Sequence, residues 1–209
     1  MPRFQLAILA LLAALLLLSL VRAPYPTETC LQHIPTVLVL IAWPLLAKRY
    51  PLTNPAFLCI AVFLLLHIFA GRYIYSFVPY DEWSQRLLGF SITERFGFRR
   101  NHFDRVVHFS FGALLVRPIW EICVRYLGIP RRVAYYTAFE FILAFSMVYE
   151  LIEWELSLVL AGADADAYNG QQGDIWDAQK DMALALVGAL VALLILFVTR
   201  RRRRVPGVK

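Results

Sequence analysis

Asp104 and His108 stand four residues apart, Glu150 and Glu153 three apart, and Asp174, Asp177 and Asp181 follow at intervals of three and four. On α-helices each of these sets lies on one face. Carboxylates joined by one or two imidazoles form an oxygen-rich donor set. Such sets hold Mg²⁺, Mn²⁺ or Ca²⁺, and Zn²⁺ is compatible with them. The same groups serve as general acids and bases. His108 and Asp104 are therefore candidates for ligand or base, and Glu150 for ligand or general acid/base. Glu153, Asp177 and Asp181 are candidate ligands, and His67 is a second imidazole late in another apolar stretch.

The elements that must position these groups are apolar. Of 209 residues, 60% are hydrophobic and only 17% are charged, and the mean hydropathy is +0.60. A soluble domain carries about 25% charged residues, and a chain of this size leaves too much surface in water to hide so much apolar area. The composition excludes disorder, a secreted disulfide scaffold and an ordinary cytosolic enzyme. It predicts a polytopic membrane protein. Of the three cysteines, Cys59 and Cys123 fall inside apolar runs and read as small hydrophobes.

The chain divides into about six membrane-spanning helices, at 4–21, 31–47, 55–71, 103–126, 133–160 and 177–199. The expectation is one all-α membrane domain over 1–209. The first run is longer than the usual signal-peptide core of about 7–15 residues, so it reads as a retained span. Between the third and fourth spans, Trp83, Leu87 and Phe90 have the spacing of one face of a short interfacial helix. Within the spans, Arg117 and Glu121 are placed to pair at i, i+4. Glu140 reads as a helix-packing hydrogen-bonder.

Charge orients the bundle. The formal net charge is +6, and residues 200–204 are five consecutive arginines. With that tail in the cytoplasm, Arg3, Lys48, Arg49, Arg125, Arg131 and Arg132 also fall inside, and six spans place both termini there. Glu28, Asp81, Glu82, Glu94, Asp104, Asp164, Asp166, Asp174 and Asp177 then fall outside. Arg72, Arg86, Arg95, Arg99, Arg100 and Arg105, all in or near the third-to-fourth connection, run against this bias. The arginine tail is a stop-transfer anchor on anionic lipid. Nucleic acid is not an expected partner, since no aromatic or helix-turn-helix context accompanies the basic residues.

Rise per residue then sets depth. With α-helical rise, Glu150 lies about 25 Å along the fifth span, close to the outer face, His108 and Asp181 lie about 6–7 Å below it, and His67, late in the third span, comes to a similar depth. Four helices thus bring ionisable groups to one level. An ionised carboxylate in the bilayer is costly, so the acids must be shared with a metal, with protons, or with Arg105 or Arg72, or lie in a wet cavity. The stretch 168–177 adds Gly170 and Gly173, which permit tight turns, and Asp174, suited to cap the last helix. Amides at that helix start could receive an anion such as phosphate.

Three blocks carry a resemblance. They are Asn101-His102-Phe103-Asp104-Arg105 with His108, Tyr149-Glu150-Leu151-Ile152-Glu153-Trp154, and Gln172-Gly173-Asp174-Ile175-Trp176-Asp177 with Asp181-Met182. Together the chain resembles the YjdF family of bacterial inner-membrane proteins over nearly its whole length. The resemblance implies a multi-pass protein of the inner membrane and carries no activity with it. A looser similarity is to VanZ-like membrane proteins, whose order of groups Asp104, His108, Glu150 and Asp181 match. The Gln that commonly follows the Glu there has no clear counterpart, since Glu153 or Trp154 stands in its place, so no role in glycopeptide tolerance is carried over.

Three functions fit these residues. One is a metal-dependent centre acting on a lipid-linked or phosphate-bearing substrate, with membrane lipids as its surroundings. No His-Glu-x-x-His or Gly-x-Ser-x-Gly motif accompanies it. The second is a proton- or cation-coupled small-solute transporter. The third is a structural membrane protein whose cluster only locks helices together.

Overall fold

Proline and glycine punctuate the chain where its helices start and stop. A computed structural model describes residues 1–159 and 171–202, and these contain α1 (Arg3–Leu20), α2 (Pro26–Arg49), α3 (Asn54–Gly71), α4 (Tyr80–Leu88), α5 (Ile92–Phe96), α6 (Phe103–Arg125), α7 (Arg131–Val159) and α8 (Asp177–Arg202). Prolines open α2 and α3, where a missing N–H costs no helical hydrogen bond. Gly89 and Gly97 close α4 and α5 at φ 78° and 66°, in the left-handed region. Asp164, Asp166, Gly170 and the arginines at 203–204 lie outside the described residues.

Helices α1, α2, α3, α6 and α8 are long and apolar enough to cross a membrane. Helix α7 has the length, at 29 residues, but Glu140, Glu150, Glu153 and Glu155 reduce its apolarity. The protein is an all-α, polytopic membrane bundle with two short helices between its third and fourth long ones.

The long helices form two lobes. In the first, Leu9, Leu12 and Leu16 of α1 pack on Phe57, Ala61, Leu64 and Ile68 of α3, and Val39, Leu40 and Trp43 of α2 close over them. In the second, Val116 of α6 and Ala138 and Ile142 of α7 pack on Ala185, Ala189, Ala192 and Leu196 of α8. Helices α3 and α6 join the lobes.

Small residues let α6 and α8 meet backbone to backbone. A Cβ on Gly112 would lie 2.0 Å from the Ala185 carbonyl oxygen, and one on Gly188 would lie 2.1 Å from that of Phe109. Close approach through small residues is how membrane helices gain packing energy when lipid is as apolar as leucine.

Helix α1 is tied in at both ends. Gln5 Nε2 donates to the Leu52 carbonyl at 3.2 Å and to Asn54 at 3.1 Å. Arg72 donates to the Ser19 and Val21 carbonyls at 2.5 and 3.0 Å, satisfying the exposed end of α1. Arg72 therefore caps a helix and is no partner of the acidic cluster. Three further expectations change. Glu121 does not pair with Arg117. It accepts from the Thr53 N–H at 2.7 Å, the Thr53 hydroxyl at 2.6 Å and Arg125 at 2.6 Å, because the start of α3 offers a free amide. Glu140 packs no helices together. It faces outward on α7 beside the Tyr136 hydroxyl one turn earlier.

The third change concerns α4. It ends at Leu88, so Phe90 lies beyond it, and Trp83 packs on Phe69 and Tyr73 while Leu87 is 82% exposed. Asp81 holds α4 to α5. It accepts from the Ser91 hydroxyl at 2.9 Å, the Thr93 N–H at 2.8 Å and the Thr93 hydroxyl at 2.5 Å. Desolvation opposes its charge, but the Thr93 and Ser91 donors outweigh that and hold its carboxyl below the ordinary range.

Two outcomes follow. Gly188→Leu must part α6 from α8, and it is expected to cost about 3 kcal/mol of stability in detergent unfolding. A variant as stable as the parent would refute the close contact. Asp81 stabilises the α4–α5 pair when ionised, so that stability is present above the ordinary carboxylate value and lost as pH falls through its lowered one. Hydrogen exchange at the Thr93 amide should lose protection over that acid interval, and Asp81→Ala should show the loss already at neutral pH.

Candidate functional site

The site is built where the segment before α6 meets the segment before α8. The Asn101 side chain accepts from the Phe103 N–H at 3.0 Å and donates to the Val78 carbonyl at 2.7 Å, which orders the first turn of α6. Gln172 accepts from the Asn101 N–H at 3.0 Å and donates to the Asn101 carbonyl at 3.3 Å. Gly173 turns the chain at φ 80°. Asp174 accepts from the Trp176 N–H at 3.1 Å, so it orders the turn ahead of α8 rather than capping the helix directly.

Two guanidiniums lace these segments together. Arg105 reaches Asp174 at 3.1 Å, Asp177 at 2.5 Å and Asp181 at 2.6 Å, and it donates to the Asp177 carbonyl at 3.0 Å. Arg100 pairs closely with Asp177, donates to the Gln171 carbonyl at 3.0 Å, and stands 3.7 Å from Asp104. Lys180 covers Asp174 from the outside at 2.7 and 2.8 Å. Hydrogen bonds from Lys180, joined by that of the Trp176 N–H and outweighing desolvation, hold Asp174 below the ordinary carboxylate range. Burial first, and then the charges of Arg100 and Arg105, hold His102 below the ordinary imidazole value.

His108 sits behind this lattice, one turn after Asp104. Its Nε2 lies 3.4 Å from Asp104 Oδ1 and its Nδ1 lies 3.7 Å from Glu150 Oε1. One ligand atom each from Asp104, His108 and Asp181 lies within 4.8 Å of the others. Asp181 is 2% exposed, and His108 and Glu150 are 8% exposed. Yet Asp181 Oδ1, Glu150 Oε1 and Arg100 Nη2 have no hydrogen-bond partner. A buried polar atom left unpaired costs about 1–3 kcal/mol, and more when charged. Five carboxylates (Asp104, Glu150, Asp174, Asp177, Asp181) stand with three permanent cations (Arg100, Arg105, Lys180) and the His108 imidazole. Oxygens without a hydrogen-bond partner beside an imidazole are donor chemistry that a divalent cation can use.

The structure thus brings Asp104, His108, Glu150 and Asp181 together from three helices. Asp177 is adjacent, but its Oδ1 is shared between two guanidiniums. Glu153 stands apart, on the wall of a cavity of about 300 Å³ between α7 and α8 that Glu150 and Asp177 also line. His67 is no ligand of this cluster. Its Nε2 donates to the Gln32 carbonyl at 3.0 Å and its Nδ1 is taken by the Tyr75 hydroxyl. His67 and His108 instead line one cavity of about 290 Å³ between the lobes, walled mainly by apolar side chains. The sequence reading missed Arg100 and Lys180 as site residues. Arg100 stands at i, i+4 to Asp104 across the helix start, a spacing visible in the sequence.

Comparison with known proteins agrees with this architecture. The family described as "Predicted membrane protein (DUF2238)" matches residues 4–202. The inner membrane protein YjdF of Escherichia coli (strain K12) is 35% identical over 180 residues, which is 84% of this chain and 82% of that protein. No solved structure matches the chain. The chain is therefore a multi-pass membrane protein that belongs to the DUF2238 family.

Proposed function

We propose that the Asp104–His108–Asp181 group, with Glu150, is a divalent-cation centre at the outer face of the inner membrane, acting on a lipid-linked or phosphate-bearing substrate. The observation that carries this reading is the pair of buried, unpartnered oxygens, Asp181 Oδ1 and Glu150 Oε1, beside His108. A helix-locking network would be expected to satisfy its own acceptors, as the Arg105 fork does for the other oxygen of Asp181. The Nη2 of Arg100, which stands 3.7 Å from Asp104 but has no hydrogen-bond partner, adds a donor for an anion next to the cation. A bound Mg²⁺ or Mn²⁺ would supply Lewis acidity toward a phosphoryl oxygen. Glu150, outside the arginine lattice, is the group free to exchange a proton with substrate.

Sidedness is supported by charge. Arg3, Lys48, Arg49, Arg125, Arg131 and Arg132 fall at the ends of the long helices opposite the cluster. The positive-inside bias then places both termini in the cytoplasm and the cluster outside.

Glu150→Gln and His108→Gln test the reading, because neither breaks an arginine pair. In detergent-purified protein, Mn²⁺ binding followed by paramagnetic resonance should show one ion per chain. Each variant should weaken it by about 10–100-fold while melting as the parent does. Asp181→Asn should abolish binding and also destabilise, since it removes one carboxylate of the Arg105 fork. A parent that binds no Mn²⁺, with variants that only lose stability, would refute the centre and leave a helix-locking role. A parent that binds none but loses pH-driven solute uptake on Glu150→Gln would leave a carrier.

A further inference from the structure

The cavity between the lobes has an unusual rim. Residues of α2, α3, α6 and α7 line it, and Val39, Phe63, Leu64, Phe111 and Phe145 make its wall almost wholly apolar. With α2 and α7 both read as membrane spans, the medium beside these two helices is hydrocarbon. His108 stands at one edge of the same cavity.

Two hydroxyls interrupt the apolar wall. Thr36 on α2 and Ser146 on α7 both line the cavity. Thr36 is 1% exposed and Ser146 2% exposed, and neither hydroxyl oxygen has a hydrogen-bond partner. Serine and threonine in helices often bond the carbonyl four residues back. For Thr36 that is the Gln32 carbonyl, which already accepts from His67. Two unpaired hydroxyls from the opposite flanks of one apolar cavity call for an oxygen-bearing guest with a hydrocarbon body.

We infer that this cavity binds one glycerophospholipid of the surrounding bilayer, drawn in sideways between α2 and α7. Its acyl chain lies against the phenylalanines, its ester oxygens accept from Thr36 and Ser146, and its headgroup points to His108. The inference rests on the cation reading only for the direction of the headgroup. It extends that reading by naming a lipid ester as the substrate class and the bilayer as the route.

The test uses the full chain, delipidated in maltoside detergent, with dioleoylphosphatidylglycerol as the probe. Native mass spectrometry should show one lipid per chain that survives activation strong enough to strip loosely bound lipid. Ser146→Phe puts a ring into the cavity and should displace that lipid. The isosteric pair Thr36→Val with Ser146→Ala deletes only the unpaired hydroxyls. It should keep or raise the melting temperature and weaken lipid binding at least ten-fold. Mn²⁺ binding, measured alongside, should be unchanged in all these variants, so failure here is separate from failure of the cation centre. A parent that holds no lipid, a Ser146→Phe protein that holds it as well as the parent, or a double variant that binds it undiminished would each overturn the inference. If Ser146→Phe does not fold, the double variant decides.

Discussion

The backbone contact between α6 and α8 at Gly112 and Gly188 is the constraint on which the site depends. His108 lies one turn before Gly112, and Asp181 lies two turns before Gly188. With a Cβ only 2.0–2.1 Å from an opposing carbonyl at either glycine, no other residue allows this spacing without parting the helices. The close spacing lets Arg105 of α6 reach Asp177 and Asp181 of α8 within hydrogen-bond distance. Without a hydrophobic drive between helices in lipid, packing of small residues has to supply this contact.

On that contact rests a lattice of charges arranged by cost. A carboxylate in hydrocarbon is expensive, and Arg100, Arg105 and Lys180 offset most of the acids at the helix starts. The arginines do not satisfy every oxygen at the lattice's inner edge. There Asp181 and Glu150 each keep one buried oxygen unpaired, and His108 lies 3.4 Å from one carboxylate and 3.7 Å from another.

The two-lobed plan adds the surroundings. Joining the lobes through α3 and α6 leaves α2 and α7 as separate flanks, and the space between them is apolar except for Thr36, Ser146, His67, Tyr75, Tyr149 and His108. On the other side of α7, Glu150, Glu153 and Asp177 line a second, more polar cavity. The charged cluster therefore lies between a greasy space and a polar one. An enzyme working on an amphiphile needs that division, and so does any protein that passes a headgroup between two media.

Much of this was legible in the amino-acid order. Apolar runs bounded by Pro, Gly and arginine marked the long helices, because length and hydropathy are local properties of a segment. The i, i+4 spacing of Asp104 and His108, and the helical rise that set Glu150 and Asp181 at their level, followed from helix geometry alone. What no local pattern contains is the rotation of each helix about its axis and the choice of partner across a gap. Packing therefore decided that Glu121 turns to Thr53 instead of Arg117, that Arg72 caps α1, that Trp83 and Leu87 part company, and that Glu140 faces outward. It also decided that Arg105 takes three aspartates while Glu150 takes none of the arginines. A sequence lists which charges a membrane must accommodate, and the approach of one backbone to another determines which of them stay unpaired.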